Sequence, residues 1–178
     1  MYYVFLAEGF EEIEAVSIID ILRRADVEVT TIGVGSKDIT GTHGIPMKAD
    51  RCTCEGMPSD IEGVILPGGL PGTPNLMASK DVAEYIDYCA KNDKWICAIC
   101  AAPMVLGKCG VLNGKKAVCY PGCEDGLTGA VIGTDIVTVD GKIVTSKGPG
   151  TASEFGLKLA ELFKNEKASL SVRSDMLL

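Results

Sequence analysis

Short apolar runs alternate with amphipathic segments along this chain of 178 residues, and this alternation limits its fold more than any other feature. Residues 2–7 and 95–99 are apolar throughout and have the length of buried strands. Elsewhere, as in residues 11–25, apolar side chains recur at helical spacing. Buried strands that alternate with amphipathic helices predict an α/β sandwich with a mainly parallel central sheet.

The predicted elements fill the chain without an internal repeat or a long linker, so residues 1–178 are predicted to form a single domain. Asp140-Gly141 indicates a tight hairpin, and Ser79 indicates a helix N-cap. Pro46 indicates an edge strand, because proline cannot donate a hydrogen bond to a neighbouring strand. We predict strands at residues 2–7, 27–34, 45–52, 63–66, 95–99, 116–120, 134–139 and 142–145, and helices at residues 11–25, 79–90, 151–163 and 168–178, with another starting at Pro103.

Charge and composition exclude several classes of protein. The chain has 17 basic and 24 acidic side chains, a formal net charge of −7, and no basic cluster larger than a pair such as Arg23-Arg24. A nucleic-acid partner requires a cationic surface, and no apolar run approaches the about 18 residues of a transmembrane helix. Acidic residues directly follow the first apolar run, so it is interpreted as a strand rather than a signal peptide. We expect a cytoplasmic protein with neither nucleic acid nor membrane as a partner.

Eight cysteines and one histidine, His43, narrow the chemistry further. The cysteines are scattered rather than spaced as a disulfide framework, so free thiols are expected in a reducing compartment. One histidine is too few for the common His-rich zinc motifs. No glycine-rich nucleotide-binding motif opens a helix. The sequence therefore predicts neither a metal nor a cofactor.

Cys100 is the predicted nucleophile. It directly follows the strand at residues 95–99, and Pro103 sets the start of a helix just beyond it. Ligands bind at the carboxyl ends of strands in open α/β sheets, and N–H groups at a strand–helix junction favour thiolate over thiol. Small Ala101 and Ala102 suit the tight turn of a nucleophile elbow. The alternative is a buried, inert cysteine.

Other uses of the cysteines find less support. Cys97 and Cys100 have the spacing of a redox dithiol, but Cys97 falls inside the predicted strand rather than near a helix N-terminus. Cys52 and Cys54 are interpreted as filler. A zinc site is a further alternative, with the ligands Cys97, Cys100, Cys119 and Cys123. These cysteine pairs lack the turn glycines that are usual in a four-cysteine zinc ribbon.

Acidic residues near the start of the first helix are candidates to assist Cys100. Helical spacing places Glu11 and Glu14 on the apolar side of that helix, whereas Glu12 falls on the polar side. A carboxyl group on an apolar face has a raised pKa and can stay protonated as a hydrogen-bond donor. Periodicity alone leaves the choice between Glu11 and Glu14 open.

Two glycine-rich turns follow other predicted strands. They are Gly68-Gly69, and the run Gly148, Pro149 and Gly150. Turns of this kind expose backbone N–H groups that bind a carboxylate, a phosphate or an oxyanion. The alternative is that each turn only closes a loop.

Four segments, in order over nearly the whole chain, resemble the ThiJ/PfpI superfamily and especially its parkinsonism-associated deglycase branch. They are AEGFEEIEAV at residues 7–16, VILPGG at 64–69, AICAAP at 98–103 and TSKGPGT at 145–151. The resemblance implies a flavodoxin-like three-layer sandwich with a strand–nucleophile elbow–helix unit, and it implies a homodimer.

The resemblance also assigns roles to individual residues. It implies that Cys100 is the reactive elbow cysteine, which oxidises readily to a sulfinate, and that Glu14 is the buried glutamic acid bonded to it. The backbone of Gly68, Gly69 and Ala101 would then bind an oxyanion. The expected remainder of the pocket is Tyr120, Gly148, Pro149 and Gly150.

The chain departs from the family pattern at three positions. Ala101 stands where the peptidase members have histidine, and Tyr120 stands where the deglycase has its second imidazole. His43 replaces the arginine of a Ser-Arg-Gly segment near the expected dimer edge, and it is interpreted as a surface histidine. No Cys–His pair is therefore expected, which weakens a peptidase interpretation, because acyl transfer needs a base and an acid for the leaving amine.

The favoured hypothesis is a cofactor-independent enzyme of glyoxalase or deglycase type. The Cys100 thiolate would add to a small α-oxoaldehyde or to a glycated substrate, while Glu14 moves the proton and backbone N–H groups hold the oxyanion. The alternative is a non-enzymatic oxidative-stress sensor or chaperone in which Cys100 becomes a sulfinate. A cysteine peptidase and a thiamine-pathway role on a thiazole monophosphate are less favoured.

Overall fold

The computed structural model describes residues 1–178, and its secondary structure alternates between strands and helices. The strands are β1 (Tyr2–Leu6), β2 (Val29–Gly33), β3 (Asp38–Thr40), β4 (Pro46–Lys48), β5 (Arg51–Cys52), β6 (Gly63–Leu66), β7 (Trp95–Ile99), β8 (Lys116–Ala117), β9 (Val131–Ile132), β10 (Val137–Asp140) and β11 (Ile143–Ser146). The helices are α1 (Glu12–Arg24), α2 (Gly72–Ala78), α3 (Lys80–Lys91), α4 (Pro103–Lys108), α5 (Ala152–Phe163) and α6 (Glu166–Asp175).

Seven strands form the central sheet in the order β10-β11-β7-β6-β1-β2-β5. All neighbours are parallel except β10 and β11, which form the predicted antiparallel hairpin. The mainly parallel α/β fold is thus confirmed. Because β1, β6, β7 and β11 run in the same direction, the loops that follow them meet at one edge of the sheet.

Two apolar cores lie on opposite faces of this sheet, as expected for strands whose successive side chains point to opposite faces. On one face, Val4 and Ile99 pack with side chains of α1 and α5, among them Ile18 and Phe155. The other face carries a second core beneath α3 and α4. It includes Phe5, Leu66, Ala98, Ile86 and Leu106. The resulting three layers hold the loops of the sheet edge on a rigid base.

The predicted strand at residues 45–52 is wrong as a single element. β4 pairs with β3 in a separate hairpin, whereas β5 pairs with β2 at the sheet edge. Asp50 separates them, because its carboxylate accepts hydrogen bonds from the Thr31 N–H at 2.9 Å and the Thr31 hydroxyl at 2.7 Å. This side-chain contact turns the chain where the sequence pattern indicates a continuous strand.

The predicted strand at residues 116–120 is also too long, since only β8 pairs, with β9, in a sheet of its own. Beyond it, Val118 N–H donates to the Thr145 hydroxyl at 2.9 Å, and Tyr120 N–H donates to the Cys100 carbonyl at 2.8 Å. These bonds bring the segment to the end of β7. Helix α2 and the strands β3 and β9 are additional to the predicted elements.

Helix α6 starts two residues earlier than predicted, because Asn165 caps it by accepting a hydrogen bond from Ala168 N–H at 2.9 Å. The structure joins Cys52 and Cys54 in a disulfide, so the expectation that all eight cysteines are thiols is wrong for this pair. The other six cysteines are free. None of the helices combines the length and the apolar character required to cross a membrane.

Candidate functional site

Cys100 occupies a tight turn between β7 and α4. Its backbone has φ +65°, a left-handed conformation that residues with a side chain rarely adopt. Two hydrogen bonds hold it there: Cys100 N–H donates to the Ser146 carbonyl at 3.0 Å, and the Cys100 carbonyl accepts from Tyr120 N–H at 2.8 Å. Backbone strain that neighbouring segments enforce is typical of functional sites. The conformation matches the predicted nucleophile elbow.

Glu14 lies directly beside this turn and has no exposed surface. Its Oε2 accepts a hydrogen bond from Gly68 N–H at 2.7 Å, and its Oε1 is buried without a hydrogen-bond partner. A methyl group added to Gly68 would lie 3.0 Å from Glu14 Oε2 and 3.1 Å from Cys100 Sγ, so only glycine leaves room between thiol and carboxyl. Of the two acids that periodicity left open, Glu14 is the one brought to Cys100.

The thiol and the carboxyl influence one another's ionisation. Burial raises the pKa of Glu14 to about 7, against the opposing hydrogen bond from Gly68. Burial, together with the charge and hydrogen bonding of Glu14, raises the pKa of Cys100 to about 12. While Glu14 is ionised, this environment therefore favours the thiol form of Cys100 over the thiolate before substrate binds. When Glu14 is ionised, the proton of the pair therefore lies on the sulfur.

The three backbone N–H groups predicted to bind an oxyanion, those of Gly68, Gly69 and Ala101, do not all contact the same group. Gly68 N–H donates to Glu14 Oε2, so in this structure it is not free to hold an oxyanion as predicted. The N–H groups of Gly69 and Ala101 lie at the sulfur, where they lower the pKa of Cys100. Neither donates to a backbone oxygen elsewhere in the protein. These two N–H groups are therefore available to an oxygen atom bound next to Sγ.

A cavity of about 330 Å³ opens above Cys100. Tyr120 and Pro149 line it, as expected, whereas Gly148 lies beneath the Tyr120 ring and Gly150 is not part of the wall. The complete wall comprises Glu11, Thr42, His43, Gly69, Leu70, Cys100, Ala101, Tyr120, Cys123 and Pro149. A larger cavity of about 660 Å³, around Trp95 and Lys142, lies at the opposite ends of the strands and contains none of the predicted site residues.

His43 is a wall residue of this cavity, although the sequence indicates only a surface histidine. Its Nδ1 lies 2.9 Å from Glu12 Oε2, and its backbone N–H donates to Glu12 Oε1 at 2.7 Å. Glu12 is only 6% exposed, although helical spacing places it on the polar side of α1. The loop between β3 and β4 folds over the start of α1 and covers Glu12.

Glu11, Glu12 and His43 form the single group of three side chains whose ligand atoms lie close enough to hold a metal ion, within 4.8 Å of one another. The hydrogen bonds from His43 to Glu12 account for this proximity without an ion. The four cysteines of the zinc alternative form no such group. Cys97 is fully buried within β7, which leaves it no role as the partner of an exposed dithiol.

Similarity to known sequences shows the family of this chain. A sequence model of the DJ-1/PfpI family matches residues 2–162. The Drosophila melanogaster protein dj-1beta is 35% identical over 178 residues, covering 98% of this chain and 95% of the relative. The chain belongs to the DJ-1/PfpI family.

Other members of the DJ-1/PfpI family agree in sequence and structure. A solved structure of oxidized Toxoplasma gondii DJ-1 has a TM-score of 0.94 at 36% identity, covering 99% of this chain and 97% of that one. A Caenorhabditis elegans relative named glutathione-independent glyoxalase is 30% identical over 96% of this chain and 92% of its own length. The chain spans less than half the length of its two Arabidopsis thaliana relatives, covering 40% and 45% of them.

Sequence reasoning did not place Glu12, Thr42 and His43 at the site. Thr42 donates its hydroxyl hydrogen bond to the Leu70 carbonyl at 2.6 Å and joins two loops of the cavity wall. Glu12 and His43 are 31 positions apart, so no local spacing connects them. The one available signal is that the chain's only histidine stands where family members have another charged side chain.

Proposed function

We propose that this DJ-1/PfpI protein converts small α-oxoaldehydes to hydroxy acids without a cofactor. The observation that carries the proposal is the strained Cys100 elbow at the floor of a cavity, with the buried Glu14 carboxyl beside its thiol. The glyoxalase among the relatives supports this substrate class. Methylglyoxal and its early adducts on protein thiols and amines are substrates of suitable size and reactivity.

The first step is addition of Cys100 to the aldehyde carbon. Glu14 takes the thiol proton as the sulfur–carbon bond forms, and the carbonyl oxygen gains the electron pair. The N–H groups of Gly69 and Ala101 stabilise the negative charge on that oxygen until it is protonated. The product is a hemithioacetal on Cys100.

The remaining steps require no oxidant. A base removes the proton from the aldehyde carbon and the same proton returns to the adjacent ketone carbon, so one carbon is oxidised while the other is reduced. The resulting thioester is hydrolysed by water, which releases lactate and restores the Cys100 thiol. Methylglyoxal and one water thus give one lactic acid.

The test compares wild type with Cys100→Ala, Glu14→Gln and Glu14→Asp. Loss of all turnover is expected in Cys100→Ala. A decrease in kcat of about 100-fold or more is expected in Glu14→Gln, which keeps the shape of Glu14 but cannot accept a proton. Partial activity in Glu14→Asp would show that the carboxyl group matters. Turnover that persists in Cys100→Ala would exclude the proposal.

A sensor function is the second candidate, and the unpartnered Oε1 of Glu14 favours it. In its protonated form this oxygen donates a hydrogen bond to a sulfinate on Cys100, and the Gly69 and Ala101 N–H groups add further donors. Mild peroxide should then convert Cys100 to the sulfinate before any other free cysteine reacts, as peptide mass spectrometry would show. Earlier oxidation of Cys119 or Cys123 would exclude this function.

We also propose that the protein acts as a cytoplasmic homodimer. Two large apolar side chains at the start of α1, Ile13 and Val16, are 57% and 51% exposed in the isolated chain. Exposed apolar side chains next to one another favour a protein interface. Six of the eight cysteines are free, which suits a reducing compartment, although Cys52 and Cys54 are joined.

A further inference from the structure

We propose that His43, held by Glu12, is the base that moves the proton between the two substrate carbons in the reaction proposed above. This inference rests on the proposed function and adds a residue to it. It gives the chain an acid–base imidazole on the wall formed by the β3–β4 loop, away from Tyr120, which stands at the family's second imidazole position.

Glu12 fixes both the position and the tautomer of the imidazole. Hydrogen bonds from His43 hold the pKa of Glu12 below its usual value although burial opposes this, so Glu12 is an ionised acceptor at neutral pH. The Nδ1 atom, 2.9 Å from Glu12 Oε2, must therefore carry the proton of that hydrogen bond. In the neutral ring this leaves the lone pair on Nε2, the nitrogen that has no protein partner.

Glu14 is not placed to perform the same step. It has no exposed surface and is not part of the cavity wall, and Gly68 fixes one of its oxygens. Glu14 therefore exchanges a proton with the sulfur of Cys100 from the buried side, not from the cavity. His43 lines the cavity, and its side chain is 67% exposed, so it can contact a substrate bound to Cys100. Glu14 thus exchanges a proton with the sulfur, whereas His43 exchanges a proton with the carbon atoms of the same adduct.

The proposed step balances within the hemithioacetal. Nε2 takes the proton of the former aldehyde carbon, and the electron pair of the broken C–H bond forms a double bond to the neighbouring carbon, which leaves an enediolate with its negative charge on the former ketone oxygen. The imidazolium then returns the proton to the former ketone carbon, and the hydroxyl group of the hemithioacetal passes its proton to the neighbouring oxygen. The carbon attached to sulfur becomes the thioester carbonyl, and the former ketone carbon becomes the alcohol carbon. Glu12 stabilises the transient positive charge, as the carboxylate does in carboxylate–histidine pairs.

The charged and titratable groups around His43 set the pH range of this step. Glu12 and Glu11 face it from α1, with Glu11 Oε1 at 3.8 Å from Nδ1, while Cys100, Tyr120 and Cys123 lie on the other cavity walls. The hydrogen bond to Glu12 and the charge of Glu11 raise the pKa of His43 above 6.5. Because the base must be neutral, activity should increase as the pH rises through this raised value.

The experiment measures lactate formation from methylglyoxal across pH in wild type, His43→Gln and Glu12→Gln. Glutamine retains a donor for Glu12 but is no base, so His43→Gln should reduce kcat by about 100-fold with little change in KM. The rising limb of the profile should also disappear. Glu12→Gln should shift that limb to lower pH. The rate of Cys100 alkylation by iodoacetamide needs no second base and should stay unchanged in His43→Gln.

Direct observation of the imidazole completes the test. His43 is the only histidine, so its Cε1–H resonance in NMR spectra reports its titration without competition from another imidazole. Alkylation of Cys100 should shift that resonance, because both groups share one cavity. Wild-type turnover with an unchanged kcat and pH profile in His43→Gln would overturn the role of His43. Absence of turnover in wild type would instead overturn the proposed function itself.

Discussion

Cys100 combines a left-handed backbone with a side chain, a combination that costs about 1–2 kcal/mol for residues other than glycine. The hydrogen bonds to Ser146 and Tyr120 hold it in place. This conformation places the sulfur next to Glu14 and next to the N–H groups of Gly69 and Ala101. Reactivity at this position thus depends on a conformation that lowers the stability of the fold.

Comparison of Cys100→Gly with Cys100→Ala tests this strain. Both variants lack the sulfur, but only glycine adopts φ +65° without a steric penalty. We expect Cys100→Gly to be more stable than Cys100→Ala by about 1 kcal/mol in urea unfolding. Equal stability of the two variants would show that the elbow is unstrained.

The raised pKa of Glu14 predicts a pH-dependent loss of stability. The folded-state value of about 7 exceeds the ordinary value of 4.5, so the folded protein binds this proton more tightly than the unfolded chain does. The stabilisation is complete below pH 4.5 and decreases as the pH rises through about 7.

Between pH 5 and pH 8, wild type should therefore lose about 2–3 kcal/mol of unfolding free energy relative to Glu14→Gln, whose side chain does not titrate. Urea unfolding of both proteins at the two pH values measures this difference, and the other titrating groups cancel in the comparison. A constant difference between the proteins would contradict a raised pKa for Glu14.

The β3–β4 hairpin closes the site through contacts that join it to α1. Glu12 accepts hydrogen bonds from the His43 and Ile45 N–H groups at 2.7 and 3.4 Å, and from the His43 ring. One carboxylate thus fixes the turn between the two strands. The element carries a cavity wall residue although it pairs with no strand of the central sheet.

Removal of this carboxylate should loosen the hairpin without unfolding the protein. In Glu12→Ala, the amide hydrogens of His43 and Ile45 should exchange with deuterium at least 10-fold faster, because they lose their acceptor. Asp20→Asn, on the exposed side of the same helix, is the control and should leave both rates unchanged. Equal protection in Glu12→Ala would indicate that other contacts fix the turn.

Sequence patterns predicted the elements whose apolar side chains face the two cores, such as β1, β7 and α5. They failed where polar contacts between distant segments decide the structure. Asp50 interrupts a strand by bonding to Thr31, and Val118 leaves its strand by bonding to Thr145. Local periodicity contains no information about such partners.

In the site, too, local patterns predicted some residues, whereas contacts between distant segments decided others. Cys100 was predicted because the strand–helix junction is local, and Glu14 because family resemblance selected it from two candidates. Glu12 and His43 depend on a loop that covers α1 from 31 positions away. Gly68 donates its N–H to Glu14, and these residues are 54 positions apart, so no local pattern predicts this hydrogen bond.

The molecule as a whole presents its site at one edge of the sheet and an exposed apolar pair, Ile13 and Val16, near the start of α1. The same helix carries Glu12 and Glu14, which serve the site. A second copy that covers α1 would therefore be linked structurally to the hairpin and to the cavity.

Charge on this surface should separate a dimer into single chains. We expect wild type to sediment as a dimer and the double variant Ile13→Lys, Val16→Lys to sediment as a monomer, because the lysine charges would be buried in the interface. Leu170→Lys, at a similarly exposed apolar position on α6, is the control and should remain dimeric. A monomeric wild type at micromolar concentration would contradict the proposed interface.

The decisive measurement counts lactate molecules formed per chain from excess methylglyoxal, using protein freed of contaminating glyoxalases. The proposed chemistry predicts many lactates per wild-type chain and none from Cys100→Ala prepared in the same way. Lactate amounting to one molecule or less per chain would contradict it, because Cys100 would then trap the aldehyde without regenerating its thiol.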